Sequence, residues 1–485
     1  MQTSWETIGL VAAIVHTFSW LAAGHALLHK RDSRSALGWT AVCLLTPLFG
    51  PLLYVLFGIA RVESRAARIM SRAAQTALGA NAPLVEGFFS DTPRGSVPLS
   101  DLPHSFRAVA RPGWSLTHRR IVGGNAVIPL HNGEEAYPQM LEAIRTAKQR
   151  VFLSTFIFSH DNIGRLFAEA LIDAARRGLD VRLLIDGVGS FRIGLPLLGW
   201  TTRLSAAGVR VARFLPPGLL PPRFNINLRT HRKILICDRT VAFTGGMNIS
   251  AHHLCANTRK NRVSDLHFRC SGPIVSQLLV CFLMDWDFVT GDAAHTPLEP
   301  PISSAGKSFC RLVMDGPGTM RDPIHDLFCA MISASKHRVR IISPYFLPTQ
   351  QLTSALTSAV LRGVRVDVIL PERNNHPPVN WAMHHQLPEL IKKGVHIVLQ
   401  PPPFAHTKLL LVDNAYTLMG SANLDPRSLN LNFELVVETI DQELNINLAN
   451  YFDTLLTRSV PFPSTPAPLP VRLRNAVCWL MSPYL

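Results

Sequence analysis

A histidine followed by a lysine at two residues, an aspartate at seven, a glycine at fourteen and an asparagine at seventeen occurs twice in the 485-residue chain. The first set is His231, Lys233, Asp238, Gly245 and Asn248, and the second is His406, Lys408, Asp413, Gly420 and Asn423. In "HRKILIC" and "HTKLLLV" the His and Lys head an apolar run. On an extended segment residues i and i+2 project to the same face, so both side chains enter one cleft. Imidazole is a nucleophile near neutral pH, and an ammonium beside it stabilises charge on phosphoryl oxygens. One histidine cannot both attack phosphorus and protonate a leaving alkoxide on the opposite side, so in-line displacement at a phosphodiester calls for two. Duplication supplies both. Asn248 and Asn423 offer amides for the non-bridging phosphate oxygens. Gly245–Gly246 and Gly420–Ser421 permit close backbone approach. Asp238 and Asp413 complete the pattern and are counted with its catalytic residues, although bracing of loops suits their position better than chemistry. Asp265 and Glu434, downstream of the two asparagines, read either as carboxylates that accept the second N–H of a histidine, as in a triad, or as surface charges.

The elements that position these residues repeat as well. "KQRVFLSTFIF" (148–158) is matched by "KHRVRIISPYF" (336–346), "RRGLDVRLLID" (176–186) by "LRGVRVDVILP" (361–371), and "AAGVRVARFLPP" (206–217) by "KKGVHIVLQPPP" (392–403). These blocks lie 185 to 188 residues apart but the two histidines only 175, so the first copy has about eleven extra residues, "LLPPRFNINLR", before its His. In that loop Leu219, Leu220, Pro221 and Phe224 are candidates for lipid contact, with a packed loop as the alternative. Strands alternating with helices, twice over, imply an α/β fold of two domains related by a pseudo-twofold axis and sharing one site. The expected boundaries are 126–300 and 301–458, followed by a Pro-rich spacer and tail at 459–485. The tail "VRLRNAVCWLMSPYL" fits a short amphipathic helix on a membrane or a helix packed on the body.

Ahead of the repeat, no residue from Thr7 to Leu28 or from Ala36 to Ala60 carries a full charge. Each run is long enough to cross ~30 Å of hydrocarbon as a helix. The pair, within 1–60, predicts a transmembrane hairpin, its second span kinked at "TPLFGP" with carbonyls that need partners, and a re-entrant segment is the alternative for that second run. His16 and His25 in the first span read as neutral groups bonded to the neighbouring helix. Residues 61–125 read as a basic juxtamembrane segment and linker. Lys30, Arg31 and Arg34 oppose Arg61, Arg65, Arg68 and Arg72, and the longer set places the C-terminal bulk in the cytoplasm. Eight cysteines without C-x-x-C spacing form neither a disulfide framework nor a zinc site. A net charge of +15 favours an anionic partner, nucleic acid or membrane. His252, His253, His384 and His385 read as surface residues, with contact to a headgroup near the cleft as the alternative.

The paired motifs resemble the HKD motifs of the phospholipase D superfamily. With "ALGWTAVCLLTPLFGPLLYVLFG", "SPYFLP", "GSANLDPRS", "LNFE" and "SPYL", the likeness extends over nearly the whole chain to bacterial cardiolipin synthases with an N-terminal membrane hairpin. That resemblance implies transfer between two phosphatidylglycerol molecules, giving cardiolipin and glycerol, at an inner membrane of anionic phospholipid. It implies His231 as nucleophile, His406 as acid and base, Asp265 and Glu434 each orienting the histidine of the opposite copy, no cofactor, no metal and no nucleic-acid partner. One departure is visible: relatives carry a pattern like "WRDTH" where this chain reads "VSDLH", with Val263 in place of the Trp, which bears on headgroup or acceptor choice. Rival readings are a hydrolysing phospholipase D, a superfamily nuclease that would use the positive charge, and an inactive membrane scaffold.

Overall fold

The computed structural model describes residues 2–30, 33–58, 96–97, 102, 104–117, 119–190, 200–216, 228–256, 261–292, 303–316, 322–463 and 465–482. The Arg61–Arg72 segment, the lipid-contact candidates Leu219, Leu220, Pro221 and Phe224, and the last residues of "SPYL" lie outside them. The chain divides into two compact units, Met1–Ala67 and Arg68–Leu485.

In the N-terminal unit Ala23 and Ala26 of the helix Gln2–His29 pack with Cys43 of the helix Ser33–Leu45 and with Tyr54 beyond it. Among the described residues only Gly9–His29 is both long and apolar enough to cross a membrane. The expected second span does not continue as one helix. It stops at Leu45, turns around Pro47, and resumes as Phe49–Leu53 and a π-helical turn, Tyr54–Gly58. Proline has no N–H to donate and its ring crowds the preceding turn, which frees carbonyls. Ser19 Oγ answers this by donating to the carbonyls of Cys43 (2.9 Å) and Pro47 (3.0 Å). His25 Nδ1 meets the Tyr54 hydroxyl at 2.8 Å, so this histidine is bonded across the helix pair.

The larger unit is built on one continuous sheet. In the first copy the strand order is Ile121–His131, Leu266–Ser271, Val241–Gly245, Ile234–Cys237, Arg150–Thr155, Asp180–Asp186, Arg210–Phe214. In the second copy Ser308–Asp315, Glu434–Ile440, Tyr416–Gly420, Leu409–Val412, Arg338–Ile342, Arg365–Pro371 and His396–Gln400 follow the same order, so each strand has its counterpart. The last three strands of each set are parallel and the rest antiparallel. The copies join where Ser308–Asp315 pairs antiparallel with Ile121–His131. Strands buried on both faces read as near-continuous Val/Ile/Leu runs, as "RVFLST" and "RVDVILP" do.

The core has three parts. One covers the outer face of the first copy, one the outer face of the second, and the third is shared. The shared part holds Phe152 and Ile236 of the first copy with Leu411 and Val437 of the second, sealed by the helices Ile274–Thr290 and Gln442–Arg458. Ile274–Thr290 carries apolar residues nearly all round and is buried, ending at Gly291 in the left-handed conformation.

Part of the stretch read as linker is structured. His104–Thr117 is a helix whose Ala110 is buried in the second-copy core, and Arg311 Nη2 donates to the Ala110 carbonyl at 2.7 Å. Pro112 and Gly113 hid its helical pattern. Arg311 also pairs in the core with Glu438, to which Tyr416 donates at 3.0 Å.

Candidate active site

The two histidines lie just ahead of equivalent inner strands, Ile234–Cys237 and Leu409–Val412, in extended segments outside the regular ladder. What fixes them is a pair of short cross-copy ladders. On one side His231 N donates to Phe433 O at 2.9 Å and Phe433 N to Arg229 O at 2.8 Å. On the other, His406 N donates to Ser264 O at 2.8 Å and Phe404 N to Arg262 O at 3.0 Å, extending the parallel pairing of Val263–Ser264 with Phe404–Ala405. Each ladder carries a histidine from one copy and, next along the partner strand, a carboxylate from the other.

The side chains complete that exchange. His231 Nδ1 lies 3.0 and 3.1 Å from the Glu434 oxygens and 3.1 Å from the Ser421 carbonyl. His406 Nδ1 lies 2.7 Å from Asp265 Oδ2. Carbonyls and ionised carboxylates only accept, so both Nδ1 atoms carry hydrogen and the lone pair of each ring is on Nε2. Burial, countered by Glu434, lowers the His231 pKa below its ordinary value. Burial and the adjacent Lys408 lower that of His406 to about 3. Both rings are therefore neutral at neutral pH. Burial opposes ionisation of Asp265 and Glu434, but His406 with Lys408, and His231 with Lys233 and Ser421, outweigh it and hold both carboxyls below their usual range.

The lysines fold back on their own histidines. Lys233 Nζ donates to the His231 carbonyl at 2.6 Å, and Lys408 Nζ to that of His406 at 2.5 Å while lying 3.1 Å from both nitrogens of its ring. Burial lowers both ammonium pKa values, that of Lys408 to about 8. Arg232, between His231 and Lys233, is buried. It anchors the segment by bonds to Asp285 (2.5 Å), the Glu434 carbonyl (3.0 Å) and the Asp315 carbonyl (2.7 Å).

The glycines permit the close approach. A Cβ on Gly246 would lie 2.5 Å from Asp265 Oδ2, and one on Gly420 2.2 Å from the Leu435 carbonyl, beside Glu434. Asn248 and Asn423 both line the cleft, with Asn248 Oδ1 accepting from Ile157 N at 3.2 Å.

Asp238 and Asp413, counted among the catalytic residues of the motif, are not in this group. Each follows the far end of its strand, ~20 Å along the chain from its histidine. Each sits in left-handed backbone, with φ of 54° and 52°. Asp238 accepts backbone N–H bonds from Lys148, Gln149 and Arg150, and Asp413 from Lys336, His337 and Arg338. They are loop braces, and what removes them from the chemistry is their place at the other end of the strand.

His253 is also a correction. It is buried in the cleft wall, and its Nε2 accepts the Asn248 N–H at 3.2 Å. In the second copy Ser428 stands at the same offset, accepting the Asn423 N–H at 2.9 Å while donating to Glu434. Aligning the repeats beyond the motif would have found the pair. Burial lowers the His253 pKa to about 4 and that of the neighbouring His267 to about 3. His252 bonds the Asn261 carbonyl instead, while His384 and His385 pack against Phe462 and Trp479 rather than reaching the cleft.

The cleft has a volume of about 1090 Å³ and is lined from both copies. Phe156 and Phe404 flank His231 and His406, with ring centroids 5.4 and 5.8 Å away. Arg229, paired with Asp186 at 3.5 Å, and Arg427 line the cleft as well, and Val263, the residue in the Trp position, is on the wall. Among the described residues no group of three or more His, Cys, Asp and Glu is arranged to hold a metal ion. The arrangement sets two imidazoles, each with its lone pair on Nε2, among cationic and amide groups, which is a set able to bind and attack a phosphodiester.

Comparison with known proteins gives a consistent picture. The family model described as cardiolipin synthase, PLD-like domain, matches residues 140–286 and 328–456, and a phospholipase D-nuclease N-terminal model matches residues 11–58. Cardiolipin synthase A of Pseudomonas syringae pv. syringae (strain B728a) is 33% identical over 439 residues, covering 90% of this chain and 89% of the relative. Cardiolipin synthase of Geobacillus kaustophilus (strain HTA426) is 30% identical over 491 residues, covering 99% and 95%. Among solved structures, phosphatidylserine synthase of Haemophilus influenzae Rd KW20 matches with a TM-score of 0.62 at 16% identity, over 78% of this chain and all of that one, a likeness of fold.

Proposed function

The chain belongs to the cardiolipin synthase family of phospholipase D-like proteins, and on that footing we propose that it joins two phosphatidylglycerol molecules through a phosphohistidine on His231. It is a phosphatidyltransferase of the cardiolipin synthase type. The observation that carries the mechanism is the exchange of carboxylates, which gives each histidine of one shared cleft a fixed Nδ1–H and an Nε2 lone pair.

His231 Nε2 attacks the phosphorus of the first phosphatidylglycerol. The bond to the headgroup oxygen breaks, and glycerol leaves with a proton from His406. The terminal hydroxyl of a second phosphatidylglycerol gives its proton back to His406 and attacks the same phosphorus, the P–N bond breaks, and cardiolipin is released. One phosphodiester replaces another, so the exchange needs no nucleotide. Lys233, Lys408, Asn248 and Asn423 hold the non-bridging oxygens. The His406 ring is neutral in the empty cleft, and a phosphodiester anion placed against it raises its affinity for the proton it must donate. Substrate and proton thus enter together. Val263 pairs with Phe404 next to His406, a placement suited to shaping the acceptor position.

The protein is an inner-membrane protein anchored by its N-terminal unit. Leu10, Phe18, Trp20, Leu21 and Leu28 on the first helix, and Leu37, Leu45 and Phe49 after it, point outward and are largely exposed, an arrangement suited to hydrocarbon. Both helices spanning as a hairpin, with the catalytic unit in the cytoplasm, is the topology we propose.

The test is a mass-spectrometric lipid assay of the chain and His231→Ala on phosphatidylglycerol in mixed micelles. Cardiolipin and free glycerol from the unaltered chain alone support the reading. Phosphatidic acid without cardiolipin makes the protein a hydrolase.

A further inference from the structure

We propose that the C-terminal helix Leu469–Leu480 is a membrane-docking element that seats the mouth of the cleft on an anionic bilayer surface. This rests on the lipid substrate proposed above.

The helix has two unlike sides. Its inner side packs on the helix Pro377–Lys392. Asn475 is buried, Trp479 lies 5.0 Å from the His385 ring, and the Arg474 guanidinium sits 4.3 Å over the Trp381 ring. At 100° per residue, Leu469, Leu480, Leu473, Val477 and Met481 fall on one arc ~120° wide on the other side. All five are more than half exposed. Arg474 and Arg472 border that arc, one at each edge, and no acidic residue occurs from Val460 to the C-terminus.

A compact apolar stripe edged by arginines is what an interfacial helix presents. The apolar side chains enter the acyl boundary, and the cationic heads stay with anionic phosphates. A second copy of this chain fits less well. In a twofold pairing of two such arcs the bordering arginines would approach each other with no acid on either helix to compensate.

The placement gives the contact a use. Arg474 lies against Trp381 and, one turn later, Trp479 against His385, so the two helices run in the same direction. Leu469 therefore lies toward the Pro377 end of its neighbour, where Pro378 and Val379 line the cleft. A bilayer under the stripe is next to the opening through which a two-chain lipid has to pass.

The test uses the full chain reconstituted in vesicles of phosphatidylcholine and phosphatidylglycerol, a fraction of the latter carrying a photoactivatable diazirine on its acyl chain. After irradiation the peptide spanning 469–481 should carry lipid, and the Leu473→Glu, Val477→Glu double variant should lose that label. Cardiolipin formation by the variant should fall about tenfold on vesicles and stay unchanged on short-chain phosphatidylglycerol dissolved as monomers. Absence of lipid on that peptide, crosslinks from it to a second copy, or equal loss on both substrates would overturn the proposal. If the unaltered chain makes no cardiolipin, the functional reading fails, while the crosslink still decides whether the helix touches lipid.

Discussion

Replacing Glu434 by Gln should slow the reaction about a hundredfold without loosening substrate binding. The carboxylate is buried, and its oxygens take the His231 Nδ1–H at 3.0 and 3.1 Å and the hydroxyls of Ser421 and Ser428, each at 2.5 Å. Glutamine keeps the volume, but it turns one acceptor into a donor and removes the charge. In the empty cleft His231 is neutral, so the charge matters little to binding. As the P–N bond forms, the ring gains about half a positive charge. At ~3 Å and an effective dielectric of ~20, a full pair is worth ~5.5 kcal/mol, and half of that ~2.7 kcal/mol. Such a loss corresponds to about a hundredfold in kcat, with KM within about twofold because the interaction strengthens only in the transition state. The assay is the initial rate of cardiolipin formation against phosphatidylglycerol mole fraction, with the circular dichroism melt as a control for folding. A kcat within about threefold of the unaltered enzyme, or a loss confined to KM, would refute the reasoning.

Asp413→Ala should destabilise rather than inactivate, by about 2 kcal/mol, because it strands three backbone N–H groups at a left-handed residue; a lower melting temperature with near-normal kcat well below it is the expected result. Acid should unfold the protein from about pH 6.5 downward. Burial keeps the rings of His253 and His267 neutral down to about pH 4 and about pH 3, whereas the unfolded chain binds protons there, so the unfolded state gains as pH falls. His253→Gln should reduce the slope of stability against pH between about 6.5 and 4 by ~1.4 kcal/mol per unit, read from denaturant melts at several pH values. Asp285→Leu leaves Arg232 buried without its carboxylate and should cost ~3–5 kcal/mol, while adding Arg232→Met should recover much of the loss, as a double-mutant cycle of melts would register.

The duplication was readable because its signals are local. The β-rich runs at 148–158 and 336–346 became the strands Arg150–Thr155 and Arg338–Ile342, and the histidines of both motifs came together in one cleft, each with its lysine folded against it. What stayed hidden depended on contacts made far along the chain. His104–Thr117 carries Pro112 and Gly113 and is held by Arg311, 201 residues beyond the Ala110 carbonyl it bonds. His253 looked like one of a surface pair because its burial comes from the Asn248 turn and the opposite copy. The apolar run at 36–60 marked a kink at its Pro-Leu-Phe-Gly-Pro stretch, but the local pattern did not say that the chain beyond it would form only Phe49–Leu53 and a π-helical turn. The aspartate of each motif was grouped with the chemistry by spacing alone, and only the direction of the strand separates it from the histidine.

The central claim, a covalent intermediate on His231, is tested most directly by peptide mapping after a brief reaction with phosphatidylglycerol, quenched in base to preserve a phosphoramidate. The His406→Ala variant lacks both the acid for glycerol departure and the base for the acceptor hydroxyl, so the unaltered chain is the form to map. The expected result is a phosphatidyl mass increment on the peptide containing His231, lost in His231→Ala. An increment on His406 in the unaltered chain, or cardiolipin formation with none on either histidine, would contradict it.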